Sequence, residues 1–208
     1  MARRATNVTR ARIQEVALAL FQTQGYEATS LQQIAAALDV TKAALYYHFP
    51  AKAALLQSLV APYLDAAGAL LARYGAAPLT AGDRGTLVGA LVDLLLCYRP
   101  VVAWLARDIT AAAQPGIGEA IAAQTQGVQR LLTDPAADGA ALVRAAAAIG
   151  AVTHPVTALP DVELAVLRET LVTAALAALG SGAGRPTDRT RGERTGRAPR
   201  ETRPLSGG

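Results

Sequence analysis

The segment 39–52 contains the side chains of this chain that are best suited to contact a polyanion. It holds both lysines of the protein, Lys42 and Lys52, three of its nine aromatic residues and one of its two histidines. Thr41 is a good helix N-cap, so Lys42 falls at the first helical position, and Lys52 falls in the first turn of the helix after Pro50. A cation there opposes the helix dipole and costs about 0.3–1 kcal/mol. Because helix N-termini favour phosphate, the two lysines indicate that a nucleic-acid backbone lies against these helix ends.

Three predicted helices position this segment. The first carries apolar residues at i, i+3, i+4, i+7 and i+8, the spacing of one buried face, and Gly25 ends it. Ser30 and Gln33 have the spacing of a capping box that opens the second helix, with the register one residue earlier as an alternative. Thr41 caps the third helix, and Pro50 ends it because proline disfavours helical geometry in the preceding residue. Two short helices joined by a tight turn behind a longer one predict a helix-turn-helix domain.

The third helix is predicted to bury one face and expose the other. At 100° per residue, Leu45 and Phe49 point into the core, while Tyr47 points away from it. In a DNA major groove, tyrosine hydroxyls bind phosphates or base edges, and small methyl groups meet thymine methyls. The side chains predicted to contact DNA are Thr29, Thr41, Lys42, Ala43, Ala44, Tyr46, Tyr47, His48 and Lys52.

Structural roles are the alternative for several of these side chains. His48 taken alone is also suited to satisfying a carbonyl at the end of the helix. Tyr46 would then be half buried against the first helix, and Lys42 and Lys52 would be ordinary surface charges. The coincidence of cap, turn and stop signals favours the interpretation as a DNA-contacting surface.

The span from about residue 9 to residue 69 closely resembles the N-terminal domain of the tetracycline-repressor (TetR) family of bacterial transcription regulators. The motifs that carry the resemblance are Ala17-Leu18-Ala19-Leu20-Phe21, Gly25-Tyr26-Glu27-Ala28-Thr29-Ser30-Leu31-Gln32-Gln33-Ile34-Ala35, Val40-Thr41-Lys42-Ala43-Ala44-Leu45-Tyr46-Tyr47-His48-Phe49 and Lys52. The resemblance implies an all-helical homodimer whose third helix enters the major groove of a palindromic operator. Asp39 departs from the usual turn glycine, and Ala51 from the usual Ser or Asn cap of the fourth helix.

The whole chain is predicted to be all-α, with about nine helices. We expect a flexible basic arm at 1–8, a helix-turn-helix domain at 9–69, a helical effector-binding and dimerisation domain at 75–180, and a disordered tail rich in Arg, Gly and Pro at 181–208. Pro62 predicts a bend and Pro155 a break. Beyond the third helix, the predicted ranges are 52–74, 83–98, 99–113, 115–133, 135–153 and 161–179.

Charge is distributed unevenly along the chain. Residues 1–60 carry six basic and three acidic side chains, net +3, residues 61–180 carry seven and ten, net −3, and residues 181–208 carry seven and three, net +4. A basic head on an acidic body suits a protein that touches nucleic acid with one end. A sequence-neutral architectural DNA-binding protein is the alternative, although the acidic body disfavours it. The Arg-rich tail either adds nonspecific attraction to DNA or only improves solubility.

No motif of an enzyme, cofactor site or metal site is apparent, and the sequence predicts none of the three. Cys97 is predicted to be a small core residue. The stretch 145–160 is too short to span a bilayer, so we expect a cytoplasmic, nucleoid-associated protein with no membrane partner.

The second domain is predicted to bind a small-molecule effector and a second copy of the chain. Tyr98, Trp104 and Arg107 are candidates for the effector pocket, although Trp104 suits a plain core position equally well. The alanine-rich predicted helices 8 and 9, at 135–153 and 161–179, are expected to form a four-helix dimer bundle with a partner's pair. The identity of the effector and the operator sequence do not follow from the residues.

Overall fold

Ten helices account for the fold of the described residues. The computed structural model describes residues 9–75, 79–134, 136–159 and 161–180, and within these ranges it contains no strand. The arm at 1–8 and the tail at 181–208 lie outside the described residues. The helices are α1 Arg10–Gln24, α2 Leu31–Ala37, α3 Lys42–His48, α4 Lys52–Tyr74, α5 Ala81–Cys97, α6 Arg99–Leu105, α7 Ile109–Ala112, α8 Ile117–Leu132, α9 Gly139–Ala158 and α10 Leu164–Ala178. The all-α prediction is confirmed.

The caps of the first three helices follow the local sequence. The Thr9 hydroxyl accepts a hydrogen bond from the Arg12 backbone N–H at the start of α1. Ser30 and Gln33 form the capping box of α2 with both reciprocal bonds, so the predicted register is confirmed. The turn into α3 contains Asp39 at φ 53°, in the left-handed region that Asp tolerates better than most residues.

The longest helix, α4, connects two hydrophobic cores and continues through Pro62. Proline has no N–H, so the Ser58 carbonyl four residues earlier loses its partner within the helix. The Gln14 side-chain amide on α1 donates to that carbonyl at 3.1 Å and to the Ser58 hydroxyl at 3.0 Å. The proline site therefore fixes α1 against α4 at a defined position.

The two cores do not coincide with the two predicted domains. The first core is built mainly from α1 to α4, but it also includes Val101, Trp104 and Leu105 of α6 and Ile117 of α8. The second core lies among the C-terminal half of α4, α5 and α8 to α10. Consequently α6 belongs to the predicted second domain in sequence but packs with the helix-turn-helix domain in space.

Several of the predicted helix boundaries are wrong, and two of the differences change the course of a helix. The predicted helix at 99–113 is two helices, α6 and α7, because Asp108 leaves helical geometry and caps α7 through the Ala111 N–H at 3.0 Å. The helix predicted to break at Pro155 continues to Ala158, since a helix loses only one hydrogen bond to a proline near its end. Cys97 is exposed at the last position of α5, which corrects its predicted place in the core.

Two helices have the length and apolarity of membrane spans when these are judged by composition alone. They are α4, with 23 residues and mean hydropathy 1.4, and α9, with 20 residues and mean hydropathy 1.3, while α5 and α6 meet the test only as a pair bent by 84°. The prediction that the stretch 145–160 is too short to span a bilayer therefore underestimates the length of the apolar helix α9. In the folded chain, the apolar sides of α4 and α9 contribute to the cores described above.

Candidate nucleic-acid interface

The exposed face of α3 is the strongest candidate for contact with DNA. Leu45 and Phe49 are fully buried, as predicted, whereas Tyr47 is 87% exposed and Tyr46 is 41% exposed. The Tyr47 and His48 rings meet edge to face with centroids 5.4 Å apart. The Lys42 Nζ lies 5.5 Å from the centre of the Tyr46 ring, which places a cation beside an exposed phenol. The face therefore combines hydroxyl, imidazole and ammonium groups that are accessible to a partner.

Small side chains and a cap complete this face. Ala43 is exposed and Ala44 is half-buried, so both leave room for a close approach of another surface. The Thr41 hydroxyl accepts a hydrogen bond from the Ala44 backbone N–H at 3.2 Å, which caps α3 and still leaves its own O–H free to donate. Thr41 can therefore cap the helix and contact a phosphate at the same time.

Arg10 holds the C-terminal end of α3, although it is not among the predicted contacts. Its Nη1 donates to the His48 carbonyl at 3.0 Å, and its guanidinium lies 4.1 Å from the centre of the Phe49 ring. The sequence contains a signal that could have identified Arg10, because Arg10, like Lys42, is a cation at the first position of a helix. Arg10 thus fixes the orientation of the exposed face from the start of α1.

The Lys52 ammonium makes hydrogen bonds within the protein. It donates to the carbonyls of Tyr26 at 2.9 Å and Glu27 at 3.1 Å, and it lies 4.4 Å from the centre of the Tyr26 ring. Two of its three N–H donors are thus used inside the protein. Lys52 thus connects the start of α4 to the α1–α2 loop, and its contact with a DNA backbone stays a prediction.

Thr29 is buried in the same loop. Its side chain is 1% exposed, and its hydroxyl donates to the Gly25 carbonyl at 2.8 Å. A hydroxyl in this position stabilises the turn. The contact of Thr29 with DNA stays a prediction, and this hydrogen bond gives the residue a structural role.

Comparison with known proteins identifies this domain. A family profile described as "Bacterial regulatory proteins, tetR family" matches residues 13–59. The N-terminal domain belongs to the TetR family. Over 51 residues the chain is 47% identical to an uncharacterised HTH-type transcriptional regulator, YuxN, of Bacillus subtilis (strain 168) and to the HTH-type transcriptional regulator AcrR of Shigella flexneri.

The resemblance in sequence covers only part of these relatives, whereas the resemblance in fold extends further. The matched segment is 24% of this chain, 18% of the Bacillus protein and 24% of the Shigella protein. A solved member of the TetR transcriptional regulator family from Streptomyces coelicolor A3 shares the fold with a TM-score of 0.67, over 83% of this chain and 91% of that protein, at 24% identity. The helical body thus shares the fold of this solved structure.

The TetR-type domain is joined to the helical body by a cluster around Asp108. Its Oδ2 accepts from the Tyr26 backbone N–H at 2.6 Å and from the Trp104 Nε1 at 3.3 Å, and its Oδ1 accepts from the Thr110 hydroxyl at 2.7 Å. Burial by itself raises the pKa of the Asp108 carboxyl, but these bonds together with the one from Ala111 hold the pKa below its usual value. Tyr26 is therefore held by Asp108 through its N–H and by Lys52 through its carbonyl.

The three predicted pocket residues occupy different places in the TetR-type body. Trp104 is buried and stacks on Phe21 of α1, with ring centroids 5.4 Å apart. Most of its side chain is therefore part of the hydrophobic core, which is the alternative to a pocket position. Trp104 and Arg107 also border an open cleft of about 360 Å³ between α1, α6 and α9. The Arg107 side chain donates a hydrogen bond to the Thr157 carbonyl at 2.8 Å. The Tyr98 ring centroid lies 6.0 Å from that of Tyr63. Tyr98 borders neither this cleft nor the cavity described next.

A second, narrower cavity lies within the core of the body. It has a volume of about 50 Å³ and is lined by residues of α4, α5, α8 and α9, among them Tyr63 and Gln124. Burial raises the pKa of the Tyr63 phenol, which keeps it neutral and able to donate a hydrogen bond. Within residues 9–75, 79–134, 136–159 and 161–180, no group of three His, Cys, Asp or Glu side chains is placed to hold a metal ion.

Proposed function

We propose that this protein is a ligand-responsive transcriptional regulator, most simply a repressor, that binds a palindromic double-stranded DNA operator as a homodimer and is released by a small molecule. The observation that carries the proposal is the exposed face of α3, with Tyr47, Tyr46 and Lys42 outside and Leu45 and Phe49 buried. Such a helix fits the major groove, where hydroxyl and ammonium groups contact bases and phosphates. A protein of this kind acts in the cytoplasm, on the nucleoid.

The exposed sides of α9 and α10 support the homodimer. Leu142 and Val143 on α9, and Leu164 and Val166 on α10, are exposed large apolar side chains, and Val143 is 68% exposed. Around them both helices are rich in alanine, which allows a second helix pair to approach closely. Two-fold pairing through these helices would present two copies of α3 to the two halves of a palindrome.

The geometry of α4 supports release by a small molecule. The N-terminal half of α4 lies in the first core, and its C-terminal half lines the cavity of the second core. A ligand that enlarges the cavity displaces α4, and with it the α3 helix attached to its start. Coupling between two sites of this kind is typically about 1–3 kcal/mol.

Selection of bound duplexes from random DNA, using the full-length protein, tests the proposal. A recovered palindromic site, bound with nanomolar to tens of nanomolar affinity and strong salt dependence, is the expected result. Recovery of no preferred sequence, at low ionic strength and without any added small molecule, would overturn it. The recovered site then serves in titrations with candidate effectors.

A further inference from the structure

We propose that the effector is a compact, uncharged and mainly apolar molecule that carries a hydrogen-bond donor, and that Gln124 accepts that bond. This inference rests on the proposed function, because it assigns the effector to the cavity that α4 lines. It names a ligand chemistry, and it makes Gln124 the residue that selects for it.

The lining excludes a charged ligand. Eight of the twelve lining residues have hydrocarbon side chains, and the other four are Tyr63, Gln124, Thr125 and Thr153. None of the twelve is ionised at neutral pH, so a ligand carboxylate or ammonium would be buried without a counter-charge, which is strongly unfavourable. The hydroxyls of Thr125 and Thr153 already donate to carbonyls of their own helices, at 2.9 and 3.0 Å.

The Gln124 side-chain amide uses its nitrogen in a hydrogen bond but not its oxygen. Its Nε2 on α8 donates to the Leu64 carbonyl of α4 at 2.8 Å. That bond fixes the orientation of the amide, because the opposite orientation would bring two acceptor oxygens together. The Oε1 is buried, and it has no hydrogen-bond partner among the described residues.

A buried acceptor without a donor makes the apo state less favourable than a state in which a ligand supplies the donor. Native proteins satisfy nearly all of their buried polar atoms, so an acceptor beside a cavity without a donor among the described residues is a position where a ligand O–H or N–H can bind. The complementary group is an O–H or N–H on an otherwise apolar molecule. Hydrocarbons alone would leave the Gln124 oxygen as unsatisfied as it is now.

The cavity is smaller than the ligand that this lining would take. At about 50 Å³ it is well below the roughly 150 Å³ of an apolar cavity that binds benzene. The helices α4 and α8 that border it are in close contact, because a Cβ added at Gly127 would lie 2.8 Å from the Leu71 Cδ1. A ring can therefore enter only if the helices around the cavity move apart, and a movement of α4 is the displacement that the proposed release requires.

Isothermal titration of the full-length protein with phenol and with toluene tests the inference, because the two molecules have equal size and only phenol donates a hydrogen bond. Toluene leaves water more readily, since it has no hydroxyl to desolvate. Tighter binding of phenol therefore requires an acceptor in the site. We expect phenol to bind about tenfold more tightly than toluene.

Gln124→Met removes the acceptor and keeps the volume, and Gln126→Met makes the same change at an exposed position of α8 outside the cavity lining. Gln124→Met should reverse the order of the two affinities, whereas Gln126→Met should preserve it. Anisole keeps an oxygen bonded to the ring but has no O–H, so it provides a measurement that needs no variant. The wild type should bind it at least several-fold more weakly than phenol.

Equal or tighter binding of toluene by the wild type, binding of neither compound, or a phenol preference that survives in a folded Gln124→Met variant would each overturn the inference. Operator binding without any small molecule is measured separately on the same protein. Selective operator binding without a phenol preference refutes only the ligand class. A phenol preference without operator binding refutes only the proposed regulator.

Discussion

At the scale of single residues, the side chains near α3 divide into those that remain accessible and those already used within the fold. Tyr47, Lys42 and Thr41 are accessible, whereas Thr29 and Lys52 make their hydrogen bonds to backbone carbonyls of the α1–α2 loop. This division separates residues that we expect to contact DNA from residues that we expect to act mainly through stability. It predicts different consequences for substitutions that a sequence motif alone would treat alike.

Tyr47→Ala and Lys42→Ala should affect DNA binding in different ways. Tyr47→Ala removes the most exposed ring of α3, so base preference should relax by about 1–3 kcal/mol at the contacted position. Lys42→Ala removes a phosphate contact, so affinity should fall for all sequences alike and the salt slope should decrease by about 1. Fluorescence anisotropy on operator and mutated duplexes at several salt concentrations measures both. An unchanged base preference in Tyr47→Ala would contradict this assignment.

Lys52→Met should lower stability and leave the salt slope of DNA binding unchanged. The variant keeps the aliphatic stem but loses the ammonium that donates to the Tyr26 and Glu27 carbonyls. Loss of these charge-assisted bonds should reduce the free energy of unfolding by about 1–3 kcal/mol, as measured by urea titration. If Lys52→Met reduced the salt slope as much as Lys42→Ala and left stability unchanged, the result would show that Lys52 contacts phosphate.

At the scale of helices, local signals predicted most of the structure, because caps, turns and apolar spacing act over a few residues. Ser30, Thr41 and the buried pair Leu45 and Phe49 all lie where their spacing places them. The split of the predicted helix at 99–113 also has a local cause, because Asp108 caps α7 through the Ala111 N–H. The bond between Asp108 and the Tyr26 N–H joins residues 82 positions apart, and no local pattern encodes it.

The candidate site was predictable to a similar degree and for the same reason. The outward face of α3 follows from helical geometry alone. The fate of the Lys52 ammonium depends on the path of the α1–α2 loop, which brings two carbonyls within reach. The free oxygen of Gln124 depends on the packing of α8 against α4, and the sequence contains no signal for it.

Ala51→Ser should stabilise α4. Ala51 occupies the N-cap position with extended dihedrals, φ −149° and ψ 157°, and supplies no side-chain cap. A serine there can accept a hydrogen bond from the first turn, which should raise the free energy of unfolding by about 0.5–1 kcal/mol. Thermal unfolding measures the gain, and Ser30→Ala, which removes the existing cap of α2, should shift the midpoint in the opposite direction. A lower midpoint for Ala51→Ser would show that the α3–α4 connection does not tolerate a side-chain cap.

At the scale of the whole molecule, the Asp108 cluster makes the attachment of α6 and α7 to the TetR-type domain sensitive to acid. Hydrogen bonds hold the pKa of its carboxyl below the usual value in the folded protein. A depressed pKa contributes stability that is present above the unfolded pKa of about 4 and is lost as pH falls through the lower folded value. Asp108→Asn should be less stable than the wild type at pH 7 by about 1–3 kcal/mol, and the difference should narrow below about pH 4. Urea unfolding from pH 7 to pH 3 measures both, and a difference that stays constant over this range would contradict the assignment.

Val166→Glu should prevent dimerisation if α9 and α10 form the proposed interface. Val166 is an exposed apolar residue on α10, and a carboxylate there would be buried against its two-fold mate. Sedimentation velocity at micromolar concentration should show a monomer, with operator affinity reduced at least tenfold. Ile109→Glu introduces the same charge at another exposed apolar position, on α7, and should leave the assembly unchanged. If the Val166→Glu protein remained dimeric, the dimer interface could not lie where we propose it.

The stacking of Trp104 on Phe21 has a consequence for chimaeric regulators. A graft that joins residues 9–69 to a foreign sensor would strip α6 from the first core and leave the Phe21 and Tyr26 rings uncovered. The transplanted piece would then carry an adhesive apolar patch beside its DNA-binding helix. A usable exchange module is therefore discontinuous in sequence, because it must include α6 and α7 with their Asp108 bond, and a single crossover point along the chain cannot produce it.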